Sequence, residues 1–301
     1  MLLLAECRDN GPRRFRLTVL LVGVLVATVV HIPVAAQSQA ILIRAGEIHT
    51  VTNGVITDGE ILVRDGLIQQ IGTSVDAPAD AQEYQAEMVI PGMIDAHAHL
   101  GLDRSSRSRI PGPFTPEWKA VENLHLEDPM IQVALSGGVT SVIARSGSGI
   151  ISSGQSVALK MKSTPGPNMI LKPYVDLKMA VRPLINLRPG ETPQTVMGWY
   201  ATADDYFRRA KLYLAQKEAH AGGQASEPPE INERLEALLP VLRGDVMVHA
   251  HSHYPSEIMM VLRLARKYGF IDRLALAHAE EAFPLIDLLS GTSIIPVIGP
   301  M

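Results

Sequence analysis

Cysteine is almost missing from this sequence of 301 residues, which has a single cysteine at position 7. A fold held together by disulfides is therefore excluded, and any metal site must use histidine, carboxylate or lysine ligands. Aromatic residues make up only 5% of the chain, and the net charge of −4 speaks against a basic surface for nucleic acid. No Gly-x-Ser-x-Gly motif occurs, which excludes the usual nucleophile turn of serine hydrolases.

A long apolar run lies close to the N-terminus, between Leu17 and Val30, directly after three arginines. Basic residues, an apolar stretch and then Pro33-Val34-Ala35-Ala36 are typical of a secretory signal peptide, here cleaved after Ala36. An uncleaved membrane anchor is the alternative, but the run is shorter than the roughly 20 residues that a spanning helix needs. We expect a periplasmic or secreted protein that is not attached to a membrane after cleavage.

Short alternating segments fill residues 40–87 and are separated by the turn signals Asn53-Gly54, Asp58-Gly59 and Asp65-Gly66. An Asp-Gly pair between alternating strands favours a tight hairpin. These segments predict a small β-sandwich part. His49 lies within it and is interpreted as structural.

An apolar run from Met88 to Ala96 leads into His97-Ala98-His99. Because side chains alternate along a strand, a buried strand with this ending directs two imidazoles to the same side, where they can hold one metal ion. Ordinary hydrogen bonding of both histidines is the alternative. The pattern returns, since residues 245–251 end in His249-Ala250-His251 and residues 274–278 end in His278.

The segments between these strands predict a repeating order of strand and helix, which favours an α/β fold with parallel strands. Residues 149–156 superficially suggest a phosphate loop but lack its lysine. Residues 103–116 and 220–229 are interpreted as surface loops. Further strands are predicted at Val139–Ala144, Ile170–Ala180 and Ile294–Ile298, and helices at Pro129–Leu135, after a cap at Thr202 and after a cap at Ser256.

The Pro91-Gly92 break, Asp95, the two His-x-His motifs and the stretch Gly137–Val142 resemble the amidohydrolase superfamily, in particular its imidazolonepropionase-like branch, which includes metal-dependent dipeptidases. The resemblance covers residues 40–301 and implies a (β/α)8-type barrel, in which active sites lie at the C-terminal ends of the strands. About seven barrel strands are present. The predicted organisation is a signal peptide over 1–36, the β-sandwich part over 37–87, and a barrel over 88–301 that is incomplete at its C-terminus.

The resemblance also implies a site. His97, His99 and His249 match metal ligands, and His278 matches a residue that is either a ligand or a catalytic acid or base. His251 is a second catalytic candidate. Lys178 is the best match for a lysine that is carboxylated in relatives and bridges two metal ions, with an ordinary strand-end lysine as the alternative. One or two divalent ions are expected, with zinc favoured and manganese, iron, cobalt or nickel as other options.

The implied activity is metal-dependent hydrolysis of a C–N bond in a small molecule, either an amide, a cyclic amide or a dipeptide-like compound. Relatives use an aspartate at the end of the eighth strand, and it has no counterpart before Met301. The alternative is therefore an exported protein that binds metal without catalysis. The sequence as it stands is expected to be inactive and poorly soluble. A homo-oligomer is one option for its assembly, and no nucleic-acid partner is expected.

Overall fold

The computed structural model describes residues 39–102, 112–181 and 195–297. The predicted signal peptide and most of the predicted loop over residues 103–116 lie outside these ranges. The chain divides into two compact units, Met1–Val89 and Ile90–Met301. None of the helices within the described ranges is long and apolar enough to cross a membrane.

The first unit contains one four-stranded sheet. Its strands are β1 (Ile41–His49), β2 (Val55–Arg64), β3 (Leu67–Gly72) and β4 (Gln82–Val89), in the order β3-β2-β1-β4. The hairpin between β2 and β3 turns at Asp65 and Gly66, both with positive φ, as a tight two-residue turn requires. A sandwich needs a second sheet, and the described residues of this unit form only this one, so the sandwich stays a prediction.

The second unit contains a four-stranded sheet in the order β5-β6-β8-β9. Its strands β5 and β6 are parallel, whereas β8 and β9 continue the sheet in antiparallel fashion. Helix α1 connects β5 to β6, and the side chain of Asp128 caps it by accepting a hydrogen bond from the Met130 amide. These elements are β5 (Met93–Ala98), α1 (Pro129–Ser136), β6 (Val139–Ala144), β8 (Val157–Lys160) and β9 (Ile170–Lys172).

A five-stranded sheet in the order β13-β12-β11-β10-β7 forms the other part of this unit. Strands β10 to β13 are parallel, and β7 adds to the edge of β10 in antiparallel orientation. In this register Lys178 lies opposite His249, and Ser252 lies opposite His278. The strands are β7 (Ser152–Gln155), β10 (Asp176–Ala180), β11 (Met247–Ser252), β12 (Leu274–His278) and β13 (Ile295–Val297).

Helices bury the apolar face of this second sheet. The indole of Trp199 is fully buried, and its Nε1 donates a hydrogen bond of 2.7 Å to the Ala180 carbonyl, which ties the longest helix to the end of β10. Phe207 and Phe270 stack in the same core, with ring centroids 5.4 Å apart. The helices are α2 (Val196–Ala221), α3 (Glu233–Glu236), α4 (Leu239–Arg243), α5 (Pro255–Tyr268) and α6 (Ile286–Leu289).

Two predicted helix starts are wrong. Helix α2 begins at Val196, because the Thr195 hydroxyl accepts a hydrogen bond from the Gly198 amide, so Thr202 lies inside the helix. Helix α5 begins at Pro255, a residue whose fixed φ suits the first helical position, and Ser256 therefore lies within it.

Regular structure also occurs in two stretches for which the sequence predicted no strand or helix. The discounted phosphate loop contributes β7, and His220 belongs to the last turn of α2, where its Nδ1 donates to the Ala225 carbonyl at 3.1 Å. The mixed α/β class is confirmed. The described strands of the second unit form two hydrogen-bonded sheets, so the closed barrel stays a prediction.

Candidate metal and catalytic site

Six histidines come together where the two sheets of the second unit meet. Their neighbouring ring centroids lie between 4.5 and 5.4 Å apart. Each follows from strand geometry, since parallel strands end at the same edge and alternate residues face the same side. The structure thus brings together all the histidines that the sequence predicted as site residues and adds one more. The six are His97 and His99 from β5, His249 and His251 from β11, His253 just after it, and His278 from β12.

His97 and His249 join the two sheets. His97 Nδ1 and His249 Nε2 are 2.9 Å apart, a hydrogen-bond distance. Burial lowers the pKa of His97 to about 2, and the positive charge of Arg145 acts in the same direction. Burial likewise holds the pKa of His249 well below its ordinary value. Both rings are therefore neutral, which is the form that binds metal.

His99 is oriented by a backbone group. Its Nδ1 lies 2.6 Å from the carbonyl oxygen of Arg145, and because a carbonyl only accepts, Nδ1 must be the donor. In the neutral ring the lone pair then lies on Nε2. A hydrogen bond of this kind on the second ring nitrogen is the usual way in which a metal-binding histidine is held.

Lys178 occupies the middle of β10 and is completely buried. Its Nζ has no hydrogen-bond partner among the described residues. Burial lowers the pKa of this amine well below its ordinary value, Arg145 lowers it further, and Asp176 acts in the opposite direction. A buried amine without a partner is costly, so a functional reason for its presence is expected.

His251, His253 and His278 form the second half of the cluster. The Nε2 atoms of His251 and His253 are 2.8 Å apart, and His253 Nδ1 lies 3.2 Å from a carboxylate oxygen of Glu280. The backbone of His278 has a φ of 65° and that of Ala279 a φ of 46°. Two consecutive non-glycine residues in the left-handed region store strain, which proteins commonly tolerate at functional sites.

Sequence reasoning gave no site role to His253, Glu280 or Arg145. The alternation from His249 through His251 already pointed to His253. Arg145, by contrast, carries no local signal beyond being a charged residue at the end of an apolar strand. Asp95 lies outside the histidine cluster, and its carboxylate accepts a hydrogen bond of 2.8 Å from the His97 amide, so it orders the strand end.

Within the described ranges, no three histidine, aspartate or glutamate side chains converge in an arrangement that would hold an ion as they stand. His97 and His249 instead hydrogen bond to each other. The donor set nevertheless fits a divalent metal, because neutral imidazoles from the two sheets lie close to a buried amine whose Nζ has no hydrogen-bond partner among the described residues.

The crystal structure of an amidohydrolase from Thermotoga maritima MSB8 is similar to this chain, with a TM-score of 0.77 and 30% sequence identity. The match covers 86% of this chain and 70% of that protein. The chain belongs to the amidohydrolase superfamily. No family model matches it.

Curated relatives of this amidohydrolase agree with that assignment. The amidohydrolase tasK of Hapsidospora irregularis is 27% identical over 267 residues, and the imidazolonepropionase of Aromatoleum aromaticum is 24% identical over 261 residues. The matches cover 78% and 76% of this chain, but only 27% and 54% of those two proteins. The chain thus spans about half of the imidazolonepropionase and about a quarter of tasK.

Proposed function

We propose that this amidohydrolase hydrolyses a C–N bond in a small molecule, either an amide, a cyclic amide or a dipeptide-like compound, with the help of a divalent metal ion. The observation that carries the proposal is the convergence of histidines from β5, β11 and β12. The names of the relatives support the reaction class, since they include an imidazolonepropionase and several dihydroorotases.

His97, His99 and His249 are the residues that would hold the ion. When bound there, a divalent ion would polarise a substrate carbonyl and lower the pKa of water toward neutrality. Neutral rings and the bond from His99 to the Arg145 carbonyl prepare the ligand nitrogens without any proton having to leave first. Zinc is the favoured ion, because imidazole is among its common ligands.

Lys178 is proposed as the further ligand residue. A carboxylated lysine requires the neutral amine as its starting form, and the lowered pKa of Lys178 supplies it. Its position opposite His249 in the paired strands supports a role beside that residue. If Lys178 remains unmodified, the proposal reduces to a site for one ion.

His278 and His251 are proposed to act on the substrate, either by orienting its carbonyl or by moving a proton to the leaving nitrogen. Both rings lie in the half of the cluster that Glu280 approaches through His253. The strained backbone at His278 supports the assignment, because ordinary strand ends do not need it.

We further propose that the two sheets of the second unit belong to one β/α barrel and that the protein is exported. The His97–His249 contact between the sheets supports the first proposal, and the arginines and apolar run of residues 13–30 support the second. N-terminal sequencing of secreted or periplasmic material should begin near Gln37. A chain that retains residues 1–36 would favour the membrane anchor.

The central test combines metal analysis with turnover of dipeptides, N-acyl amino acids and cyclic amides. His97→Ala and His249→Ala should each lose metal and activity, while His278→Ala should lose turnover with little effect on folding. His220→Ala is the matched control, because His220 lies in α2 and outside the cluster. Full metal retention in a His97→Ala/His249→Ala double variant would refute the site. Metal binding without turnover of any substrate would favour the alternative of a silent metal-binding protein.

A further inference from the structure

Arg145 is a fully buried cation directly after β6, and the proposed function uses its backbone carbonyl but gives its guanidinium no role. Its partner Asp176 is only 4% exposed, and Arg145 Nη2 lies 2.8 Å from Asp176 Oδ2. The Ser156 hydroxyl donates to the other carboxylate oxygen at 2.5 Å and accepts from Arg145 Nε at 3.3 Å. Burying such a pair is expensive, and it often contributes less to stability than an apolar replacement would.

On one side, Arg145 holds the strand that ends in His97 and His99. Its Nη1 donates to the Ala96 carbonyl, and its own amide donates to the Ala98 carbonyl at 3.0 Å. These two carbonyls flank His97 in the chain. The carbonyl of Arg145 in turn accepts the hydrogen bond from His99. A single residue thus contacts the His-x-His strand on both sides of one predicted ligand and orients the other.

On the other side, Arg145 reaches the strand of Lys178 through Asp176. Asp176 precedes Lys178 by two residues in β10, so the two side chains belong to the same face of the sheet. Strand β10 is also paired with β11, where His249 lies opposite Lys178. The ion pair therefore connects the same two sheets whose histidines meet in the site.

We propose that Arg145 is a positioning residue, whose guanidinium joins the His-x-His strand to the Lys178 strand and sets the spacing between the imidazoles of the two sheets. The part that concerns metal binding rests on the proposed function. This role needs the planar guanidinium, because its N–H groups donate in three directions, to the Ala96 carbonyl, the Ser156 hydroxyl and the Asp176 carboxylate. Lysine offers a compact charge on a flexible stem and does not reproduce that geometry.

The alternative is that Arg145 only stabilises the fold, and the test must separate the two. Arg145→Met alone leaves Asp176 as an unpaired buried charge, so it could simply unfold. Arg145→Met combined with Asp176→Leu replaces the whole pair by apolar groups and is expected to fold cooperatively. Arg145→Lys retains the charge. As a matched control, Arg234→Met with Glu117→Leu removes an ion pair of 3.1 Å that is partly exposed and outside the cluster.

Cobalt(II) is the probe, because its visible absorption reports ligand geometry as well as binding. The double variant at Arg145 and Asp176 should bind cobalt about 10–100-fold more weakly than the wild type, as is usual when a group that orients ligands is lost. Arg145→Lys should also bind more weakly and show an altered spectrum, whereas the control should match the wild type. A folded double variant with the wild-type affinity and spectrum would overturn the proposal.

A second measurement needs no metal. In the metal-free protein, nitrogen-15 NMR of the imidazoles should show that the double variant changes the signals of His97, His99 and His249, while the control leaves them unchanged. Unchanged imidazole signals in the folded double variant would also overturn the proposal. If the wild type binds no metal but the imidazole signals still depend on Arg145, the proposed function fails and the positioning role stands.

Discussion

Replacing Lys178 by methionine should stabilise the metal-free protein. The two side chains are similar in length, but methionine has no donors to satisfy. Lys178 is completely buried, and its Nζ has no hydrogen-bond partner among the described residues. The substitution therefore removes a desolvation cost and leaves the packing of β10 largely in place.

The size of the effect follows from the cost of an unsatisfied buried polar group, which is about 1–3 kcal/mol. For a domain of this size each kcal/mol corresponds to a shift of roughly 2–4 °C in the unfolding midpoint. Lys172→Met is the matched control, because Lys172 is exposed in β9, and a surface substitution of this kind should change stability by less than about 0.5 kcal/mol.

The pH dependence has a definite sign. Burial lowers the pKa of Lys178 in the folded state, so between that value and the unfolded pKa of about 10.4 the unfolded chain binds the extra proton. The contribution of Lys178 to the free energy of unfolding of the wild type therefore becomes more favourable as the pH increases through that window. The advantage of Lys178→Met should be larger at pH 7 than at pH 10.

Urea denaturation in buffer free of metal and bicarbonate measures both effects. Tryptophan fluorescence is a suitable signal, because the protein has only two tryptophans and one of them, Trp199, is buried and hydrogen bonded to the end of β10. A methionine variant that is less stable than the wild type at pH 7 would refute the reasoning. If the advantage of the methionine variant does not change between pH 7 and pH 10, the fold does not lower the pKa of the Lys178 amine.

Two further predictions concern the backbone near the site. Gly154→Ala should destabilise the protein by at least about 2 kcal/mol, because φ at this position is +100° and the new Cβ would lie 2.1 Å from the Trp118 carbonyl oxygen. In the control Gly149→Ala, the new Cβ meets no atom within 4 Å, so this variant should be tolerated. Equal urea midpoints for the two variants would contradict this prediction. Ala279→Gly should leave the stability of the protein unchanged or raise it by up to about 1 kcal/mol, because the left-handed conformation costs an alanine about 1–2 kcal/mol. Ala277→Gly, within β12, is the comparison and should lower the stability of the protein. Thermal unfolding of the two variants tests this, and a less stable Ala279→Gly variant would be the contrary result.

Several elements could be predicted because their cause is local. Helix α1 lies where proline, apolar spacing and Gly137-Gly138 predicted it, and β12 coincides with the predicted strand at Leu274–His278. The start of α2 could not be predicted in this way. Thr195 and Thr202 are equally good caps by themselves, and the burial of Trp199 against β10 is what favours the longer helix.

Strand β7 is not predicted from the sequence for a related reason. Residues 152–155 read Ser-Ser-Gly-Gln, which has little intrinsic preference for a strand. These residues form a strand because they pair with β10, and all four of them are buried in that position. Strand propensity depends on neighbours, and these neighbours come from a distant part of the chain.

The sequence alone determined which side chains can reach the site. Alternation along a strand directs His97 with His99, and His249 with His251, to a common side, and parallel strands end at a common edge. What only the tertiary structure decided is how these groups meet. The 2.9 Å contact between His97 and His249 and the ion pair between Arg145 and Asp176 each join residues from different sheets. The burial of Lys178, whose Nζ has no hydrogen-bond partner within the described part of the chain, depends on the surrounding core. No periodicity encodes such contacts, because local patterns specify the direction of a side chain, whereas distance and solvent exclusion arise only when separate strands pack together.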